Sequence, residues 1–439
     1  MPSIALTTAG LPRGDPLPAA LQGTLAARGT LAGPVDLGDA RLAREGPPPE
    51  LARASVHVHG AGEPGDILLL LRFLKGAGIP PAAAARGAGD PLLILAGPAA
   101  LPNPEPFAAF FDAILVKDPG AVLAALMEAW AGARPRGREA VVAAWTACPG
   151  SYVPSAYRIA YGEDGCLETV TPVGGAPIPV PAFWGPPPAV RDPCGAVDRA
   201  GRPGLRALGP CLWAWDHDAR GRPRGVTAVL GAAREGLRQA AGLLLPDAEV
   251  DAVLDRIADA GAGQVELELM LGLPGETEGD VDGMLEVVKR LRHRLVQGGR
   301  GARRVPEILP AVSTFFPRPW TATQWAPLAD VRDLVRRHRD LARSLGKVGN
   351  VSLLHDVPKW AHVQGVLARG DRRMAGLFAL ALETGGDWAA ACRRWHLNAD
   401  FFALRSRSAD EAFPWDHLDV GVRKADLRKE AEARGLLPS

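Results

Sequence analysis

Cysteine is scarce in this 439-residue chain: five, at positions 148, 166, 194, 211 and 392, with no two closer than 17 positions. An odd, scattered set argues for a reducing cytoplasmic setting rather than a disulfide framework. Zinc-type Cys/His clusters are missing, as are a Walker phosphate loop and a Gly-x-Ser-x-Gly elbow. Long apolar runs are absent as well, since Ile67–Leu71 and Leu92–Ala96 are far too short to span a bilayer. The opening MPSIALTTAGLPRGDP has no basic segment leading into an apolar one, so no signal peptide is expected. Neither sign of charge prevails. Lys+Arg 50 against Asp+Glu 49 leaves +1, which excludes a general pull toward nucleic acid or an anionic membrane. The arginine-rich run Arg292–Arg304 reads as a solvated loop.

What is present supports globular domains. The chain is 47% hydrophobic, enough to bury real cores, and its length predicts two or three domains. Gly 51 and Pro 41 are spread without period, the mark of a GC-rich coding bias. Over 1–130, short apolar runs alternate with helical patterns: strands at Ala54–His59, Pro91–Ala96 and Ala113–Val116, helices at Asp66–Gly76, Phe107–Phe111 and Gly120–Trp130. That alternation predicts a parallel sheet wrapped by helices. Residues 131–225 are dense in proline and glycine and read as an extended connector. From 226 the α/β pattern resumes. A helix is expected over Asp247–Ala260, a strand over Gln264–Leu271, a helix over Asp280–Leu295, a strand over Pro306–Phe316 and a helix over Ala329–Leu345. Residues 346–439 are helical and rich in tryptophan.

Two turns are candidates for ligand contact. In VELELMLGLPGET, the turn at Gly272, Pro274 and Gly275 presents backbone N–H groups near the next helix start, where Glu276 suits the helix dipole. The turn Gly97, Pro98 to Asn103 leaves backbone approachable beside a strand end. His57-Val58-His59-Gly60 puts His59 near the end of an early strand, where an exposed histidine is the plain expectation and a cofactor contact the sharper one.

These residues carry a resemblance. GLPGET resembles the turn after the fifth strand of radical SAM barrels, a strand that packs on the adenine of S-adenosylmethionine. Leu93–Asp118, with Gly97-Pro98, Asn103-Pro104-Glu105-Pro106 and Phe110-Phe111-Asp112-Ala113, looks like the cobalamin-domain segment of an uncharacterised subgroup of B12-binding radical SAM proteins. Tyr152-Val153-Pro154-Ser155 with Tyr157, Phe316–Trp320 with Gln324-Trp325, Gly365–Arg373 and Pro414–Val422 resemble that family's later blocks, in order. The resemblance implies an α/β fold with four parts. These are a Rossmann-like cobalamin-domain sheet over 1–130, the connector over 131–225, a truncated radical SAM-type partial barrel over 226–345 and a C-terminal helical module over 346–439.

The departures decide the expected function. A radical SAM [4Fe–4S] cluster needs three thiolates in a CxxxCxxC loop. Cys211 stands where that loop should begin and nothing downstream completes it. The glutamate that binds the SAM ribose in the family falls on Gly231, with Glu235 a turn further on. The resemblance therefore implies a small-molecule cofactor protein or pseudoenzyme. Cobalamin is its expected ligand, SAM and [4Fe–4S] are disfavoured, and a partner protein is an open option. Two alternatives stand beside it: an active enzyme with an atypical cluster, and an interaction scaffold without cofactor. His355-Asp356 and Asp416-His417 are adjacent pairs that point apart and form no ready acid–base dyad.

Overall fold

The computed structural model describes residues 4–9, 11, 15–26, 35–38, 53–182, 206–209, 211–298 and 305–437. Two six-stranded sheets organise them. The first holds β1 (Ile4–Ala9), β2 (Val35–Asp36), β3 (Val56–Ala61), β4 (Leu92–Ala96), β5 (Ala113–Leu115) and β6 (Ser151–Tyr152), in the order β2-β1-β3-β4-β5-β6. All neighbours run parallel except β5 and β6. Parallel strands need crossover helices, which cover both faces and bury the strands on both sides. One face packs under α1 (Pro16–Ala26), α3 (Pro119–Ala133) and α4 (Arg138–Thr146), through Leu21, Leu126 and Trp145 against Ile4, Val58 and Ile94. The other face packs under α2 (Ile67–Gly76), through Leu70 and Leu74 against Ala5, Leu93 and Leu95.

The stretch expected as connector is structured where it is described. It carries α4, a hairpin of β7 (Tyr157–Tyr161) and β8 (Leu167–Pro172), then β9 (Val180–Pro181) and β10 (Arg206–Gly209). β11 (Leu212–His217) follows, and β12 (Pro223–Gly231) begins within it. Proline sits at strand ends and edges here, where its missing donor costs nothing. The proline-dense residues 183–205, including Cys194, lie outside the described residues. A second difference is local: the Phe107–Phe111 helix is a single 3₁₀ turn over Glu105–Phe107, after which the chain joins the sheet, with Asp112 N donating to Leu93 O at 2.9 Å.

The second sheet runs β10-β11-β12-β13-β14-β15, with β13 (Gln264–Leu271), β14 (Glu307–Thr314) and β15 (Leu354–His355). It is antiparallel through β12 and parallel beyond. One face buries Val226, Leu267, Leu269 and Val312 under α6 (Asp247–Asp259) and α7 (Glu278–Gly298), which follow the short α5 (Glu235–Ala240). By register, the opposite face carries Trp213, Trp215, Thr227, Glu266 and Glu268. Trp215 Nε1 donates to Thr227 Oγ1 at 3.0 Å, and Thr227 donates to Glu266 Oε2 at 3.3 Å. Trp213 and Trp215 thus belong to a strand, within the stretch expected as connector. α8 (Val331–Leu345) then leads through α9 (Pro358–Arg369), α10 (Met374–Glu383), α11 (Trp388–Arg394) and α12 (Ala399–Ala403) to β16 (Leu418–Asp419) and α13 (Lys424–Ala433).

These C-terminal helices return to the first sheet. Leu377, Phe378 and Trp388 share one core with α2, Phe107 and Phe110. Phe378 stacks edge-on against Phe107 and Phe110 at 6.0 and 5.5 Å. Trp415 is fully buried, whereas Trp360 is half exposed. At the centre of the contact Glu105, with no exposed surface, accepts from Arg372 Nε at 2.9 Å and from the Tyr152 hydroxyl. Replacing Arg372 by Met strands that carboxylate. We expect a loss of about 3–5 kcal/mol in urea unfolding, with Glu105→Gln/Arg372→Met recovering much of it. Equal losses in the single and double variants would refute the pairing.

Candidate functional site

The first sheet reverses its strand order between β1 and β3, and in open parallel sheets ligands approach at the carboxyl ends of the strands flanking such a reversal. Three side chains mark the place from within. The Thr7 hydroxyl of β1 lies 2.7 Å from His57 Nε2 and 2.9 Å from His59 Nδ1. One hydroxyl has one proton, so it donates to one ring and accepts from the other. The remaining nitrogens, His57 Nδ1 and His59 Nε2, have no partner among the described residues. Both rings are wholly buried, and burial pushes them down, His57 to about 4 and His59 to about 3, the latter helped by its neighbour. The histidines are therefore neutral core residues in a strand, not exposed ones in a loop.

A neutral imidazole with an unpartnered nitrogen is the metal-ligating form, so the donor chemistry of His59 suits cobalt. Its position does not. His59 pairs in register with Thr7 on one side and Leu95 on the other, which holds it inside the sheet rather than at the edge.

Gly97 and Pro98 follow β4 at that edge. Gly97 has φ +116, and a Cβ there would stand 2.3 Å from the Ala61 carbonyl oxygen, so only glycine closes the turn onto β3. Asn103 turns away from the edge: its Nδ2 donates to the carbonyls of Ala368 and Gly370 at 3.1 and 2.7 Å. Nearby, Gln364 of α9 donates to Glu63 at 3.0 Å. The C-terminal module thus touches the strand ends after both β3 and β4.

The Gly272–Glu276 turn belongs to the second sheet and a different core. Gly272 has φ +87, and a Cβ would stand 2.7 Å from Leu334 of α8. Pro274 and Gly275 complete the bend, Gly275 with φ +77 and open space around it. Glu276 Oε2 accepts from Gly272 N at 2.8 Å and from Arg337 at 2.9 Å, while Oε1 has no partner among the described residues. Burial outweighs the arginine and raises this carboxyl to about 7. The carboxylate locks turn to helix. Next to Arg337 on α8, His338 Nε2 lies 3.0 Å from Thr314 Oγ1, which donates to Asp356 at 2.7 Å. The Asp356 carboxylate therefore works with Thr314, while adjacent His355 reaches only the Asp356 backbone carbonyl, at 2.8 Å.

The four described cysteines stay apart. Cys148 follows α4, Cys166 lies in the β7–β8 turn, Cys211 immediately precedes β11 and Cys392 sits on α11. Cys211 is buried in the second core, and burial raises its thiol. Among the described residues no group of three or more His, Cys, Asp or Glu is placed to hold a metal ion. The described thiols thus form no trio for an iron–sulfur cube, and Cys194 lies outside the described residues. Nor does the ribose contact fit: a Cβ at Gly231 would stand 2.4 Å from Leu243, and Glu235 accepts from Asp247 N at 3.1 Å, tying helix to helix. Of the arginine run, Arg294 pairs with Asp251 and Asp255 on the surface, and residues 299–304 lie outside the described residues.

Spacing did not reveal the Glu105–Arg372–Tyr152 cluster, whose ion pair spans 267 positions. A partial signal existed: Glu105 stands between two prolines and an apolar stretch, where a buried carboxylate needs a cation. His417 stacks on Tyr152 and Tyr157 at 5.0 and 5.7 Å in the same cluster. Asp416 instead meets Lys424 at 2.5 Å.

Residues 65–154 match the family model described as radical SAM proteins, N-terminal. That span holds β4, the Gly97 turn and the Asn103–Pro106 block. No curated protein matches the sequence. Among solved structures, the chain is similar to the radical S-adenosylmethionine methyltransferase TsrM from Kitasatospora setae, solved with tryptophan substrate and a SAM analogue. Identity is 12%, covering 80% of this chain and 67% of that one, with a TM-score of 0.27, too low to carry an argument. Among the described residues no helix is long and apolar enough to cross a membrane.

The buried titratable groups set a pH dependence. His57, His59 and His338, held at about 4, 3 and 4 when folded, take up protons on unfolding below 6.5. Their contribution to stability is present above 6.5 and lost as pH falls through about 4. Glu276, raised to about 7, runs the other way and favours the fold as pH falls from 7 toward 4.5. Three histidines outweigh one carboxyl, so the urea midpoint should drop between pH 6.5 and 4.5. Glu276→Gln should gain on the parent chain from pH 5 to 8, by up to about 3 kcal/mol. A pH-independent difference would show that the carboxyl is not raised.

Proposed function

We propose that this chain descends from cobalamin-binding radical SAM enzymes and no longer performs radical chemistry, acting instead as a cofactor-binding protein or pseudoenzyme. The observation that carries this reading is the dispersal of the thiols. Each [4Fe–4S] cube needs three neighbouring thiolates, and the described cysteines, Cys148, Cys166, Cys211 and Cys392, lie beside or on four different elements. The family match over residues 65–154 supports the descent. The displaced ribose carboxylate and the turn sealed by Leu334 and Arg337 count against SAM.

The ligand of this reading is a corrinoid or a nucleotide-like molecule at the carboxyl edge of β1, β3 and β4. Gly97 and Pro98 form its floor, and His59 supports the edge from within without ligating the metal. Asn103 acts through the seam it forms with Ala368 and Gly370. Gly272, Pro274, Gly275 and Glu276 are left with a structural role on the second sheet.

Anaerobic iron–sulfur reconstitution of the full chain tests the first half. Substoichiometric iron and no iron–sulfur charge-transfer band are expected, and stoichiometric iron with sulfide would overturn it. Hydroxocobalamin titration tests the second half. Saturable binding is expected, with no histidine-ligated cobalt signature, and no binding at high micromolar corrinoid would sink the ligand.

A further inference from the structure

Two histidines meet at the carboxyl ends of β14 and β15, on the edge of the second sheet. His338 reaches the place from α8 and His355 from β15, with ring centres 5.6 Å apart and planes tilted by 50°. His338 is 4% exposed, whereas both residues of β15 are open to solvent. Strand ends of this kind are where open parallel sheets receive ligands.

The hydrogen bonds fix where the proton sits on each ring. Thr314, the last residue of β14, commits its hydroxyl proton to Asp356 Oδ1 at 2.7 Å. The 3.0 Å bond between that hydroxyl and His338 Nε2 is therefore donated by the ring. A backbone carbonyl can only accept, so His355 Nδ1, 2.8 Å from the Asp356 carbonyl oxygen, carries the second proton. Two lone pairs remain, on His338 Nδ1 and His355 Nε2. His57 Nδ1 and His59 Nε2 are sealed orphans; His338 Nδ1 is not. Burial pushes His338 down to about 4 against the pull of the Asp356 carboxylate, so the ring is neutral at ordinary pH.

Rings held this way are oriented as metal ligands are, one nitrogen donating to a protein oxygen and the other offering its lone pair. Distance separates the candidate ions. With a nitrogen about 1.2 Å from its ring centre and a metal–nitrogen bond of about 2.0–2.1 Å, two imidazoles on one tetrahedral ion have centres roughly 5.3 Å apart. Adjacent positions of a square-planar ion bring the centres to roughly 4.6 Å. The observed 5.6 Å fits the tetrahedral ion to within a few tenths of an ångström, a movement that an exposed edge strand can supply. Among the described residues no third His, Cys, Asp or Glu completes the set, which leaves the other positions to solvent.

We propose that His338 Nδ1 and His355 Nε2 form a two-histidine site for zinc, with water completing the tetrahedron. The site is exchangeable and not structural, because structural zinc is closed by four protein ligands. Its water positions lie at the strand-end edge, where a small oxygen or nitrogen ligand can take their place.

Titration of the full chain with zinc chloride against a chromophoric chelator tests this. One equivalent should bind with a Kd of about 10 µM. His355→Ala, on the exposed strand, should weaken binding at least tenfold, and His338→Gln should match it. His396→Ala removes an exposed histidine outside the pair and should change nothing. Cobalt(II) in place of zinc reads the geometry rather than the fold: the intense visible absorption of a tetrahedral ion is expected, and His355→Ala should abolish it. No stoichiometric zinc binding at about 100 µM, parent-like binding by His355→Ala, an equal loss in His396→Ala, or a weak octahedral cobalt spectrum would each overturn the proposal.

Discussion

A carboxylate buried with its guanidinium is the constraint on which the rest of this molecule depends. Glu105 sits in the turn after β4, Arg372 in the turn between α9 and α10, and Tyr152 on β6 completes the cluster. None of the three can leave without stranding a charge or a hydroxyl in a dry contact. That condition holds the C-terminal helices onto the first sheet and so decides what the carboxyl edge of that sheet faces. Asn103 and Gln364 extend the same contact by amide bonds, and Phe378 extends it by edge-on aromatic packing.

The seam changes the meaning of the sequence blocks that carry the family resemblance. Asn103–Pro106, Tyr152–Tyr157, Gly365–Arg373 and Pro414–Val422 are far apart in the chain and meet around one buried cluster. β16 within the last block even pairs with β9, and His417 O accepts from Val180 N at 2.8 Å. A likeness spread over such blocks preserves an internal joint. It speaks to how the domains are held together more than to what they catalyse, because a joint tolerates few substitutions whether or not chemistry persists.

The second sheet shows the complementary economy. Its helix-covered face is apolar, while the opposite face carries a hydrogen-bonded line from Trp215 through Thr227 to Glu266. The GLPGET turn that resembles a cofactor contact is held by Leu334 and Arg337 of α8. The same glycines that would let a ligand approach here let a helix approach instead. Glycine permits closeness without specifying the neighbour.

Local pattern alone determined much of this protein. Apolar runs bounded by glycine and proline placed β4 and β5, alternation placed β13 to the residue, and the 3.6-residue period placed α2, α6 and α8. Cysteine spacing by itself ruled out a local cluster loop. Tertiary structure decided the rest. His57 and His59 looked like strand-end surface residues, yet Thr7 from another strand draws them inside. The proline-rich stretch after 131 looked like connector, yet α4 and the β7–β8 hairpin form because partners distant in sequence cover them. Glu105 and Arg372 could not be paired across 267 positions by any periodicity. Hydrophobic period is a property of neighbours along the chain, whereas the neutralisation of a buried charge depends on whatever the completed fold brings within a few ångströms.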